Sequence, residues 1–131
     1  MKKPAYYVAV FGKPEPPDKD AVDSGRFYLG LRGADTPGER GDILLLCSAA
    51  GDEENAISMP GIGIVLTKTR DAIYYRYLPF PSPISRDRID NAFTEEDRKK
   101  LTSIKYNTYW LFGISRELFS DATRGVLIHW P

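Results

Sequence analysis

Apolar residues in this chain come in short runs cut by glycine, proline and aspartate, and six of the runs read as strands. The spacing predicts strands over Ala5 to Phe11, Arg26 to Leu31, Ile43 to Ser48, Ile62 to Lys68, Ala72 to Leu78 and Thr108 to Ile114. The first, AYYVAVF, is aromatic and β-branched and is stopped by Gly12-Lys13-Pro14. The third, ILLLCS, is apolar almost throughout, the signature of a strand buried on both faces. The last alternates Trp110, Phe112 and Ile114 against Tyr109, Leu111 and Gly113. A further strand is expected from Val126 to Trp130.

Helices are few and short. Thr94-Glu95-Glu96-Asp97 resembles a capping box, with Asp97 in the reaching-back position, and opens a helix to about Ile104. Ser115 is an N-cap for Arg116 to Ala122, and Ser85 caps a turn running through Ile89 to Ala92. Strands come first and short helices are inserted between the later ones. That order is an α+β or small-barrel pattern and lacks the regular alternation of a doubly wound sheet. Two connections are long, Gly12 to Gly25 with three prolines and three aspartates, and the acidic Ala49 to Pro60. Loops beyond about 12 residues are usually functional or mobile. The second reads as a solvated connection.

Length sets the frame: 131 residues make one domain, residues 1–131. Eighteen Lys and Arg balance eighteen Asp and Glu, which excludes bulk-charge coating of nucleic acid and a polybasic membrane anchor. Resolved by position, residues 12–55 carry five basic and ten acidic side chains, whereas residues 68–124 carry eleven basic and eight acidic. The neutrality therefore hides a polarity. One cysteine, Cys47, excludes an internal disulfide and a Cys-based zinc site, and the single His129 removes most histidine chemistry. The short apolar run near the N-terminus, Ala5 to Phe11 between Pro4 and Gly12-Lys13-Pro14, does not make a signal peptide, and no run reaches the span of a membrane helix. These features point to a cytoplasmic, soluble protein with no membrane partner.

The order of several short motifs resembles EVE-type domains of the PUA-like superfamily. Tyr6-Tyr7 in the first strand is followed by Phe27-Tyr28-Leu29-Gly30, then by Gly41-Asp42 before an apolar strand. Next come Gly61-Ile62-Gly63-Ile64-Val65, the Pro83-Ile84-Ser85 entry to a helix, and the closing Ile114-Ser115-Arg116-Glu117-Leu118-Phe119 turn. The resemblance covers residues 5–122. It departs from the family between Phe11 and Arg26, a Pro/Asp-rich segment where such domains place a helix, and at Phe27 or Tyr28, where they carry tryptophan. The resemblance implies an α+β fold, a small curved β-barrel flanked by short helices. It implies a module, related to YTH, SRA and ASCH readers, that binds a modified base in nucleic acid. DNA is expected ahead of RNA, with 5-methylcytosine or N6-methyladenine flipped into an aromatic pocket. Some relatives in that superfamily are fused to an AAA+-type motor and nuclease in modification-dependent restriction systems. The last expected strand runs to the final residue, which looks more like a boundary than a natural tail and leaves open whether the chain is a piece of a longer protein.

A flipped base needs flat apolar walls and a few fixed donors and acceptors at its edge, and each aromatic stack is worth about 1–3 kcal/mol. The strand-end candidates for the base are Tyr7, Phe27, Tyr28, Tyr109 and Trp110, with Ser48 at the edge. Aromatics on strands more often pack in the core. Asp42 is an acceptor for an exocyclic amine on one reading and a turn residue bonding local N–H groups on the other, which we favour. Gly61 and Gly63 share one strand face, where a ring or backbone can approach closely. The phosphate candidates are Lys68, Arg70, Arg76, Lys105 and Arg116. Catalysis has little support: Cys47 sits in an apolar strand, His129 lies near the end, and no GxGxxG, Walker, HExxH or GxSxG motif occurs. Neither a catalytic residue nor a cofactor is expected, and the loop run Asp52-Glu53-Glu54 reads as solvated rather than as a metal site. Two alternatives remain, a small RNA-binding or RNA-cleaving PUA/ASCH-like protein and a protein-interaction domain using the acidic first third.

Overall fold

Strands form at each of the six apolar runs: β1 (Tyr6–Val10), β2 (Arg26–Tyr28), β3 (Ile43–Ala49), β4 (Ile57–Lys68), β5 (Ala72–Pro79) and β6 (Trp110–Ile114). Three helices complete the order, α1 (Arg86–Ala92) and α2 (Glu95–Thr102) before β6, and α3 (Arg116–Ala122) after it. The computed structural model describes residues 3–11, 24–28, 38–49, 57–70, 72–102 and 110–124. The expected strand Val126 to Trp130 and the ends of the expected second strand and second helix lie outside them, as do most of both long loops.

The strands join in one mixed sheet of order β2-β5-β4-β3-β1-β6, in which β1 and β3 run parallel and every other pair is antiparallel. β4 begins at Ile57 rather than at Ile62. Ala49 pairs with Ile57 and Ser48 with Ser58 beyond a register shift that follows Leu46. Pro60 sits in that irregular stretch, where a missing N–H costs the ladder nothing, and its carbonyl accepts from the Phe80 N–H at 2.8 Å.

Alternation divides the side chains between two faces. Val8, Val10, Ile43, Leu45, Cys47 and Ile62 point to one side, where Ile84, Ile89, Phe93, Leu101 and Phe119 of the helical segments cover them. Ala9, Phe11, Phe27, Leu44, Leu46, Val65, Ile73 and Tyr75 form a separate cluster on the other side. Leu44, Leu45 and Leu46 are fully buried, so β3 is packed on both faces as its unbroken apolar run requires. Each such side chain contributes at most about 1.5–3 kcal/mol of burial.

One contact reveals the shape of the sheet. Phe27 of β2 meets Phe11, just past β1, edge to face with ring centroids 4.9 Å apart. On a flat sheet those strands would stand about 19 Å apart, four steps of about 4.8 Å. The sheet therefore curls into a half-barrel, with the Phe11–Phe27 cluster on the concave face and the helices on the convex one. This is an α+β fold with a curled half-barrel sheet and a few short helices, consistent at that coarse level with the small barrel expected from the sequence.

The helix starts follow their caps. The Ser85 hydroxyl accepts from the Arg88 N–H, Thr94 from the Asp97 N–H, and Ser115 from the Leu118 N–H at 3.0 Å. No described helix is long and apolar enough to cross a membrane.

Candidate functional site

Asp42 anchors the end of the sheet where β1 and β3 start. It is buried, and its carboxylate accepts from the Ala5 N–H at 3.0 Å and the Glu39 N–H at 2.8 Å. The Asp42 N–H donates to the Glu39 carbonyl, closing a turn in which Gly41 adopts a φ of +92°, open to glycine without strain. Its carbonyl accepts from Val65 of β4. Asp42 is the turn residue favoured from the sequence, and it also holds a distant strand.

Beside this anchor lies a cleft of about 700 Å³, lined by Lys3, Ala5, Tyr6, Tyr7, Ile114, Arg116 and Glu117 among others. That volume falls in the usual range for small-molecule sites. Tyr7 and Gly113 face each other in register on β1 and β6, and a Cβ at Gly113 would meet the Tyr7 ring at 3.9 Å. Tyr6 turns to the convex side, where its ring centroid lies 4.8 Å from that of Phe119 on α3. Lys3 and Arg116 have no ion-pair partner among the described residues. The cleft thus combines a half-buried tyrosine, two cations and one carboxylate, Glu117.

The sequence candidates are distributed as follows. Tyr7 and Arg116 come together at this cleft. Phe27 is buried in the concave core against Phe11, a wall of the barrel interior. Ser48, half-buried near the end of β3, is four positions beyond Leu44, the register partner of Tyr7. The backbone of Tyr28 ends β2 opposite Ala72, and that of Trp110 opens β6 opposite Val10. Lys68, Arg70 and Arg76 belong to the β4–β5 ribbon, apart from Arg116. Tyr109 and Lys105 lie outside the described residues, as do His129 and Asp52-Glu53-Glu54. Lys3 carries no sequence signal of its own, because its distance from Arg116 along the chain hides their meeting.

The glycines of β4 receive the protein's own tyrosines. A Cβ on Gly63 would stand 2.4 Å from the Tyr75 ring, and one on Gly61 would stand 2.6 Å from the Leu78 carbonyl oxygen and 3.0 Å from the Tyr77 ring. A second recess, of about 550 Å³ between α1 and α3, holds Arg88, Asp121 and Arg124. There Arg124 pairs with Asp121 at 2.9 Å and Arg88 donates to the Asp121 carbonyl, so its cations are already engaged. Cys47 is buried, and burial pushes its thiol up to about 12, with Arg86 opposing weakly, so it stays protonated at neutral pH. Among the described residues no three His, Cys, Asp or Glu side chains gather as metal ligands. No family model, curated protein or solved structure matches this chain.

Proposed function

We propose that this chain is a nucleic-acid-binding module of EVE/PUA-like type that reads a modified base, in DNA ahead of RNA. The base turns out of its stack into the cleft and rests against Tyr7. Lys3 and Arg116 take the flanking phosphates, and Glu117 accepts from an exocyclic amine. The observation that carries the reading is that one cleft gathers a tyrosine face with two cations that have no ion-pair partner among the described residues. A stack on one aromatic face offsets part of the few kcal/mol spent unstacking a base. In this reading the domain performs no catalysis and supplies selectivity to a partner motor and nuclease.

The experiment is fluorescence anisotropy on matched duplexes carrying cytosine, 5-methylcytosine, adenine or N6-methyladenine at one position. Tighter binding of one modified duplex is expected, lost in Tyr7→Ala, while Arg116→Ala weakens every duplex alike. Equal, salt-sensitive affinity for all four contradicts modified-base reading.

A further inference from the structure

The convex face is not covered evenly by the helices. Its row across β6, β1, β3, β4 and β5 reads Phe112, Val8, Leu45, Ile62 and Leu78, all packed against the helical core. Two residues further along on the same face, the row reads Ile114, Tyr6, Ile43, Ile64 and Arg76, and there cover gives out: Ile64 is half-buried and Arg76 is exposed. Beyond it Thr67, Tyr74 and Arg26 are in register, and Tyr74 is 38% exposed. Leu66, in the bulge between Val65 and Thr67, is 49% exposed, so a large aliphatic side chain stands in water beside the tyrosine.

Among the described residues, the strands of this surface carry charge of one sign. Arg26 of β2 and Arg76 of β5 share the Tyr74 face, Lys68 stands in register with Ile73 on the other face at the same end, and β2, β4 and β5 contain no aspartate or glutamate. Arg70 lies exposed past the end of β4, and neither it nor Arg76 has an ion-pair partner among the described residues. An exposed aromatic ring set among cations matches a strand of alternating phosphates and flat bases better than it matches an acidic peptide, which offers nothing to stack.

One register row runs from the cleft to the patch. Tyr6 and Ile114, which line the cleft, stand in the same register row as Arg76. Three strand steps separate Tyr6 from Arg76, about 14 Å, or about four nucleotides at the stacked spacing of one strand.

We propose that the uncovered end of the β4–β5 ribbon is a second contact for the nucleic acid whose base enters the cleft, and that the bound strand is unpaired over this distance. Tyr74 stacks a base, and Arg70 and Arg76 hold the phosphates beside it. This rests on the nucleic-acid reading above and deepens it: beside the base in the cleft, about four nucleotides of that strand are unpaired.

The test is anisotropy with oligothymidylates of about 3 and about 12 nucleotides, the longer also annealed as a blunt duplex. The parent chain binds the longer single strand more tightly than the short one or the duplex. Tyr74→Ala weakens the longer strand about tenfold, leaves the short one unchanged, and is rescued by Tyr74→Phe. Circular dichroism establishes that each variant is folded. If Tyr74→Ala and Arg76→Ala bind the longer strand as the parent does while Arg116→Ala weakens it, the second contact is wrong and the cleft reading stands. If the parent binds no oligonucleotide, modified or not, both fail. Tighter binding of a polyglutamate peptide than of the longer strand overturns the proposal in favour of an acidic protein partner.

Discussion

Tyr75 occupies the space in which Gly63 would carry a side chain. Their strands pair antiparallel, with Val65 opposite Tyr75 and Gly63 opposite Tyr77, so the Tyr75 ring crosses diagonally onto the bare glycine. The arrangement lets a large ring pack flush on the concave face of a curled sheet, where Tyr75 is buried. A Cβ at Gly63 would lie 2.4 Å from one ring atom and 2.7 Å from another, closer than carbon atoms can pack.

Gly63→Ala is therefore expected to destabilise the fold by about 1–3 kcal/mol, the usual cost of overpacking. Urea unfolding reads this as a lower midpoint. Shortening the ring in Tyr75→Leu should recover part of the loss in the double variant, because the two side chains share one space.

Asp42→Asn tests the anchor beside the cleft. Two backbone N–H groups, of Ala5 and Glu39, converge on its carboxylate, and hydrogen bonds to a buried charge are the stronger kind. We expect a loss of about 1–3 kcal/mol in urea unfolding. Hydrogen exchange should show the Ala5 N–H losing protection more than amides in the centre of β3.

Much of this was legible from residue order. Ser85 and Ser115 marked two helix starts, and ILLLCS marked a strand buried on both faces. The onset of β4 was not, because Pro60-Gly61 reads as a strand boundary and only the bulge opposite Cys47 lets the strand run through it. The parallel pairing of β1 with β3 depends on a contact across more than thirty residues, which local periodicity does not encode. The site was half legible. Tyr7 and Arg116 were singled out separately, but their meeting depends on β6 lying against β1 with α3 following directly. Phe27 and Tyr7 are both aromatics on strands, and only the curl decides that one ring is enclosed and the other half-open.

Cys47 links burial to pH. Its thiol is held above the ordinary range, up to about 12, chiefly by desolvation, so the folded state keeps its proton where the unfolded chain loses it. The sign follows: this contribution is fully present below the unfolded thiol's pKa and is lost as pH rises from there toward about 12. Stability of the parent should fall across that alkaline window more steeply than that of Cys47→Ala. Iodoacetamide should label Cys47 in denaturant and leave it unlabelled in the folded protein at neutral pH.

Lys3 and Arg116 should each contribute a phosphate contact. Replacing either by alanine is expected to reduce the slope of log affinity against log salt by about 1, with no change in preference among bases. Titrations at several salt concentrations check this. An unchanged slope in both variants would place the phosphate grip elsewhere.

The most direct measurement is an amide chemical-shift titration of the folded chain with a short oligonucleotide carrying 5-methylcytosine or N6-methyladenine. The account predicts the largest changes at Lys3 to Tyr7 and at Gly113 to Glu117, the two segments that form the cleft. Changes confined to Arg88, Asn91 and Asp121 between α1 and α3, or no changes at all, would contradict it.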